Sequence, residues 1–253
     1  VELIGKALGT EAVKRGGKTI ALGRDGRLSG PAFAKAMARG IQSTGIDVVD
    51  LGMVATPLTY FAGFHLDTGS AVMITGSHNP PDYNGVKSVI QGDTLALDDI
   101  QVLLKRIQAD DFATGQGRYS TADVKSAYIE RITGDAKLKR KMKIVVDCGN
   151  GASGAFAPDL FRAMGCEVIE LFCEVDGNFP NHHPDPSKPE NLQDVIRALR
   201  DIDAELGLAF DGDGDRLGVV TKDGEIIYPD RQLMLFAEDV LTRVPGGEII
   251  YDV

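Results

Sequence analysis

One succession of elements occurs twice along the chain, and any fold must accommodate both copies. Lys18–Gly23 (KTIALG) is a short β-branched apolar run that ends in a glycine-rich turn. A helical pattern follows, with Phe33, Ala36, Met37 and Ile41 spaced by three and four, and then a second apolar run, Gly45–Gly52. The same order returns as Met142–Asp147, a glycine-rich turn, the helical stretch APDLFRAMG and the run Cys166–Phe172. Each copy continues through a proline-bearing loop into a helix, LTYFAGFHLDTG in the first and NLQDVIRALRDID in the second. Each helix leads to a short strand, Ala71–Thr75 or Leu206–Phe210, then a polar loop, then a hairpin; Asp223-Gly224 is a strong two-residue turn signal in the second.

Strands alternating with helices of this length predict βαβ units with right-handed crossovers. The expected fold class is therefore α/β, with two similar βαβ-based domains built on mixed, mainly parallel sheets. Residues 1–122 form the first domain and 123–228 the second, joined near Tyr119–Lys125. Residues 229–253 hold the opening elements of a third repeat, the helix DRQLMLFAEDVLTRV and the strand EIIYDV. A lone opening strand predicts that the chain is part of a longer protein.

Composition narrows the function classes. A formal net charge of −10 disfavours a non-specific grip on nucleic acid or an anionic membrane, though a local cationic pocket can still take a small anion. No apolar run approaches the ~20 residues of a membrane span. Cys148, Cys166 and Cys173 lack zinc-ligand spacing and read as reduced thiols of a cytoplasmic protein. Ile100, Leu103, Leu104 and Ile107 read as the core face of a helix.

Chemistry concentrates in two loops at matching places in the two copies. Ligands of open α/β sheets gather beyond the carboxyl ends of strands, and Ser77 lies just past the end of Ala71–Thr75. Gly76 permits unusual backbone angles, while Pro80 and Pro81 stiffen the following turn, so the serine is presented to solvent. The matching loop of the second copy is FDGDGDR, Phe210–Arg216. Asp211, Asp213 and Asp215 alternate with glycines, which let the backbone curl until all three carboxylates meet one cation. Clustered like charges repel, and a hard divalent ion such as Mg²⁺ relieves that repulsion. Arg216 either forks onto a phosphate or pairs with one of these aspartates.

Serine and metal loop together point to phosphoryl transfer. A serine-hydrolase triad is not expected, because TGSHN does not fit G-x-S-x-G and His78 would point away from Ser77 in extended backbone. GNGASG (Gly149–Gly154) satisfies the dinucleotide glycine pattern, but its place in the repeat favours a tight structural turn. His182-His183 reads as part of a rigid loop, not a metal site.

These segments resemble the α-D-phosphohexomutases, most closely the bacterial phosphomannomutase/phosphoglucomutase group. The matching stretches are GRDGRLSG, TGSHNPPDYNGVK, DGNFPNHHPDPSKPENL and DGDGDRLGVV. The resemblance implies that Ser77 is the phosphoserine residue, that Asp211, Asp213 and Asp215 hold Mg²⁺, and that a phosphoserine oxygen is a further ligand. It implies hexose 1- and 6-phosphates of glucose or mannose as substrates, with a hexose 1,6-bisphosphate intermediate. Lys87 is the implied general base with a lowered pKa, or else a plain electrostatic partner of phosphate. His78 and Asn79 are implied to hold the loop; Arg24 and Arg27 either steady the neighbouring loop or form a structural salt bridge. Family members carry three similar α/β domains and a smaller fourth, and their sugar-reading and phosphate-binding loops lie in the last two. The chain alone is therefore expected to show negligible mutase turnover. A haloacid-dehalogenase-type phosphatase, with Asp211 as nucleophile and Asp213 as acid/base, is the competing enzyme; a sugar-phosphate and metal-binding module is the non-enzymatic reading.

Overall fold

The computed structural model describes residues 1–251. Two sheets form, and the first five strands of each follow the same order. The first contains β1 (Thr19–Arg24), β2 (Asp47–Met53), β3 (Ala71–Thr75), β4 (Gly85–Ile90), β5 (Asp93–Thr94) and β6 (Tyr119–Thr121), in the order β5-β4-β3-β1-β2-β6. The second contains β7 (Lys143–Asp147), β8 (Glu167–Leu171), β9 (Leu206–Phe210), β10 (Leu217–Thr221) and β11 (Ile226–Ile227), in the order β11-β10-β9-β7-β8. In both, the first three strands are parallel and the hairpin that follows adds two antiparallel strands at one edge. The duplication seen in the sequence is thus a duplication of sheet topology.

Period-two alternation decides how each sheet is covered. On the first, Ile20, Leu22, Val72 and Ile74 face a core shared with α1 (Glu2–Lys14) and α2 (Gly30–Gln42). Ala21 and Ala71 face the other way, toward α3 (Thr56–His65). On the second sheet, Ile144, Val146 and Leu208 face α5 (Lys125–Asp135) and α6 (Ala157–Ala163), whereas Val145 and Ala209 pack on α7 (Gln193–Ile202). One apolar cluster therefore runs from sheet to sheet, and Tyr128 of α5 meets Phe61 of α3 edge to face at 5.4 Å. The two units are fused through this core.

Between the two sheets, Tyr119–Thr121 adds a parallel strand beside β2 and Val124 is buried in the shared core. Two expectations need correction. In α4 (Asp98–Gln108) only Leu103 and Ile107 reach the core, while Ile100 and Leu104 are exposed. That helix packs on α1 at the rim, where Arg106 is buried by its ion pair with Glu11 at 2.8 Å. The last helix, α8 (Pro229–Arg243), forms as expected, but Glu248–Tyr251 is not a strand; a strand needs a neighbour to accept its hydrogen bonds, and none lies beside it among the described residues. The rest of that expected strand lies outside the described residues.

Candidate active site

Every loop at the site leaves the carboxyl end of a parallel strand. The loop after β3 carries Ser77, the loop after β9 carries the three aspartates, and the loops after β1, β2 and β7 close around them. This is where an open α/β sheet leaves a crevice, because the neighbouring crossovers diverge there.

Ser77 is held in a left-handed conformation, φ 51°, which a non-glycine residue adopts only when its surroundings impose it. Thr75 Oγ1 accepts from the Ser77 amide at 2.7 Å. The larger constraint is Arg27, whose side chain is wholly buried and whose guanidinium is a template for the loop. It pairs with Asp25 at 3.1 Å and donates to the carbonyls of Ser77 at 2.8 Å, Asn79 at 2.7 Å, Tyr83 at 3.0 Å and Pro80. A planar fork of five N–H donors suits this task and an ammonium does not. Gly76 is required here, because a Cβ at that position would lie 2.3 Å from the Arg27 guanidinium carbon. The alternatives left open for Arg27 collapse into one: the salt bridge to Asp25 orients the fork that shapes the loop. Arg24 makes only a 3.4 Å contact to the Asp25 carbonyl.

The two loops touch. Ser77 Oγ donates to Asp211 Oδ2 at 2.9 Å, and a Cβ on Gly212 would lie 2.4 Å from the Ser77 carbonyl oxygen. The glycines of the acidic loop therefore permit loop-to-loop approach as well as curling. Asp211, Asp213 and Asp215 bring one carboxylate oxygen each within 4.8 Å of one another, and Asp211 and Asp213 are fully buried. Burial, and then the charge of Asp213, push Asp211 up to about 7 despite the backbone N–H of Arg216 and the Ser77 hydroxyl that favour its ionised form. Burial opposes ionisation of Asp213 too, but bonds from Lys87 and Thr56 outweigh it and hold Asp213 below the usual carboxylate range.

Lys87 projects from β4 and donates to Asp213 at 2.7 Å and Asp215 at 2.6 Å. Burial pulls its pKa down, yet the two carboxylates outweigh that effect and raise it. The lowered value expected of a general base is therefore corrected: two anionic partners were not visible from the position of Lys87 in the sequence. His78 needs a correction as well. The left-handed turn at Ser77 removes the extended backbone that would point the two side chains apart, and His78 Nδ1 lies 3.5 Å from Ser77 Oγ. Asn79 holds the loop through its backbone, with its amide donating to the Gly76 carbonyl at 2.9 Å. Arg216 is exposed and forms no ion pair among the described residues; it borders a cavity of about 650 Å³ with Leu217, Tyr228 and Phe236.

Thr56 was missed in the sequence. As the first residue of α3 it donates its hydroxyl to Asp213 Oδ2 at 2.6 Å and its amide to the Asp213 carbonyl at 2.8 Å. The helix start was readable from Thr56-Pro57, but its partner comes from the other sheet. The glycine turn after β7 has a similar role, with the Ala152 amide donating to the Gly212 carbonyl at 3.0 Å. His182 is structural, as expected: Nε2 meets Asp147 at 3.0 Å and Nδ1 meets the His183 carbonyl at 2.9 Å.

The acidic loop fits a metal ion. All its donors are oxygen, the choice of a hard cation, and the buried Asp213 Oδ1 has no hydrogen-bond partner among the described residues. A buried carboxylate oxygen without a donor is costly unless something cationic meets it.

Comparison with known proteins gives a consistent result. Residues 1–114 match the family model for the phosphoglucomutase/phosphomannomutase alpha/beta/alpha domain I, and residues 126–224 match that for domain II. A phosphoglucomutase of Neisseria meningitidis serogroup B is 60% identical over 253 residues, covering 99% of this chain and 55% of the relative. A phosphomannomutase/phosphoglucomutase of Pseudomonas aeruginosa is 56% identical, covering 99% of this chain and 54% of the relative. A crystal structure of a phosphoglucomutase/phosphomannomutase family protein from Burkholderia thailandensis superposes with a TM-score of 0.95 at 56% identity, over 99% of this chain and 57% of that one. The chain thus spans about half the length of the relatives it matches.

Proposed function

Because the chain belongs to the phosphoglucomutase/phosphomannomutase family, we propose that it supplies the phosphoserine and metal loops of a mutase that interconverts hexose 1-phosphate and hexose 6-phosphate. The observation that carries this reading is the 2.9 Å contact between Ser77 Oγ and Asp211 Oδ2, made between loops that leave two different sheets. A nucleophilic oxygen and a metal-fit carboxylate cluster share one point in space.

In this reading Ser77 Oγ carries the phosphoryl group. A hydroxyl oxygen of the sugar phosphate bonds to phosphorus while the bond to Ser77 Oγ breaks, and the hydroxyl proton ends on the released Ser77 Oγ, giving a hexose 1,6-bisphosphate; the reverse step returns the other phosphate to Ser77, and the proton to the sugar oxygen. Phosphoryl transfer asks the protein mainly for positioning and charge neutralisation. Arg27 and Gly76 fix the direction of Ser77 Oγ. Asp211, Asp213 and Asp215 would hold Mg²⁺, which when bound draws negative charge from the transferring group. Lys87, kept cationic by its carboxylate neighbours, acts as an electrostatic partner of the phosphate. Exposed Arg216, beside the large cavity, is free to fork onto a sugar phosphate, and His78 and Asn79 shape the rim of the serine loop. Glucose and mannose phosphates are both compatible substrates, in keeping with the names of the relatives.

The test is incubation with Mg²⁺ and a hexose 1,6-bisphosphate, followed by intact-mass measurement and phosphopeptide mapping. One phosphate on Ser77, absent from Ser77→Ala, is the expected outcome. Phosphate recovered as an acyl phosphate on Asp211 would overturn the reading in favour of an aspartate-nucleophile phosphatase.

A further inference from the structure

The three cysteines are not equivalent. Cys166 precedes β8, while Cys148 follows β7 and Cys173 follows β8 at the opposite end of that strand. Strands β7 and β8 are parallel neighbours in register from Lys143↔Glu167 to Asp147↔Leu171, so Cys148 and Cys173 leave adjacent strand ends on the same side of the sheet. The Cys148 amide donates to the Leu171 carbonyl at 3.1 Å, and the Asn150 amide to the Phe172 carbonyl at 2.7 Å, which ties the two exits together. Phe172 takes a left-handed turn, φ 50°, after which Cys173 follows. The two sulfurs then lie 3.4 Å apart.

We propose that Cys148 and Cys173 are a modification site, a vicinal thiol pair that a small-molecule disulfide oxidises to an intrachain disulfide. Closing the bond requires the sulfurs to approach by about 1.4 Å from the 3.4 Å separation. Side-chain rotation can supply that, because the backbones are already held side by side. Cys148 is fully buried and Cys173 is half-buried, so the oxidant meets Cys173 first. The Cys173 thiolate attacks one sulfur of the oxidant and releases one small thiol, leaving a mixed disulfide on Cys173. Cys148 sulfur then attacks the Cys173 sulfur and releases the second small thiol. Both cysteine protons end on the two released thiols; the cysteine pair loses two electrons and the oxidant gains them. Contact with Cys173, and then burial, raise the Cys148 pKa, which agrees with Cys148 as the second, internal sulfur.

The bond would sit close to the metal loop. The Cys148 carbonyl accepts from the Gly151 amide at 2.7 Å, and the next residue, Ala152, holds Gly212. The oxidised pair would therefore flank the turn against which the acidic loop rests. This inference stands apart from the proposed mutase chemistry, because it concerns sulfurs that take no part in phosphoryl transfer.

The experiment is titration of the native chain with oxidised glutathione, counting free thiols and mapping disulfide peptides. The expected result is loss of two of the three thiols in a monomer, a peptide linking Cys148 to Cys173, and the same outcome in Cys166→Ser. Cys148→Ser should instead accumulate the glutathione adduct on Cys173. Three thiols still titratable, a link to Cys166, or only chain-to-chain disulfides would overturn the proposal, and the wild-type measurement alone suffices to do so.

Discussion

Replacing Arg27 with lysine isolates what a guanidinium contributes beyond its charge. The side chain is wholly buried and serves one carboxylate oxygen, Asp25 Oδ2, and the carbonyls of Ser77, Asn79, Pro80 and Tyr83. An ammonium has three donors on a flexible stem and cannot copy the planar fork. Asp25 Oδ2 keeps the Gly76 amide and the Pro80 carbonyl keeps the Tyr83 amide, so the carbonyls of Ser77, Asn79 and Tyr83 are the ones that stand to lose their donor. A buried polar group left unsatisfied costs about 1–3 kcal/mol, so one of these carbonyls losing its donor sets the expected loss for Arg27→Lys at roughly 1–3 kcal/mol. Arg27→Met is more severe, since it also strands the Asp25 carboxylate, at a cost of about 3–5 kcal/mol. Against a typical total of about 5–15 kcal/mol, the lysine variant should fold with a loosened serine loop and the methionine variant should stand near unfolding. Urea denaturation measures the stability. Hydrogen exchange over residues 76–83 measures the loop, where protection should fall more than in the strands of the second sheet. An Arg27→Lys protein within about 1 kcal/mol of wild type, with unchanged protection across that loop, would refute the template role.

The other consequences follow from single contacts. Thr56→Val removes the hydroxyl bond to ionised Asp213 but keeps the amide bond; urea unfolding should register a loss of about 1.5–3 kcal/mol, restored by Thr56→Ser, and a negligible change would remove Thr56 from the site. Mg²⁺ should raise the melting temperature of the wild-type chain increasingly with its concentration, and Asp215→Asn should weaken that rise; a melting curve indifferent to millimolar Mg²⁺ would contradict the metal assignment. His182 presents both ring nitrogens to acceptors, which favours the imidazolium. Burial opposes that charge, but Asp147 outweighs it and raises the pKa. The stabilisation is then complete below the ordinary histidine value of about 6.5 and fades as pH rises through the higher folded value. His182→Gln should accordingly cost more stability near pH 5.5 than near pH 8.5, both on the order of one unit or more from that value, and an equal cost at the two would exclude a charged His182.

Much of the architecture was legible because it is written in local patterns. The strands Ala71–Thr75 and Leu206–Phe210 were bounded by turn residues, and the repeat itself showed that their following loops occupy equivalent places. The composition of those loops, one serine and three alternating aspartates, was enough to suggest phosphate and metal chemistry. Other features were illegible for a common reason. Lys87 and Asp213 are 126 residues apart, and Thr56 and Asp213 are 157 apart, so no local pattern could show that they meet. Ile100 and Leu104 carried the right helical spacing, yet α4 lies at the rim, where none of the described residues covers that face.

By itself, then, the order of residues determined which segments become strands and helices, and that one topology is laid down in two copies, because period and turn chemistry act over a few neighbours. Only the tertiary structure decided that the serine loop is cast on Arg27, that Lys87 stays charged between two aspartates, and that two of three cysteines stand sulfur to sulfur. Those outcomes depend on which faces of distant elements meet, and on the electrostatics of burial that the meeting creates.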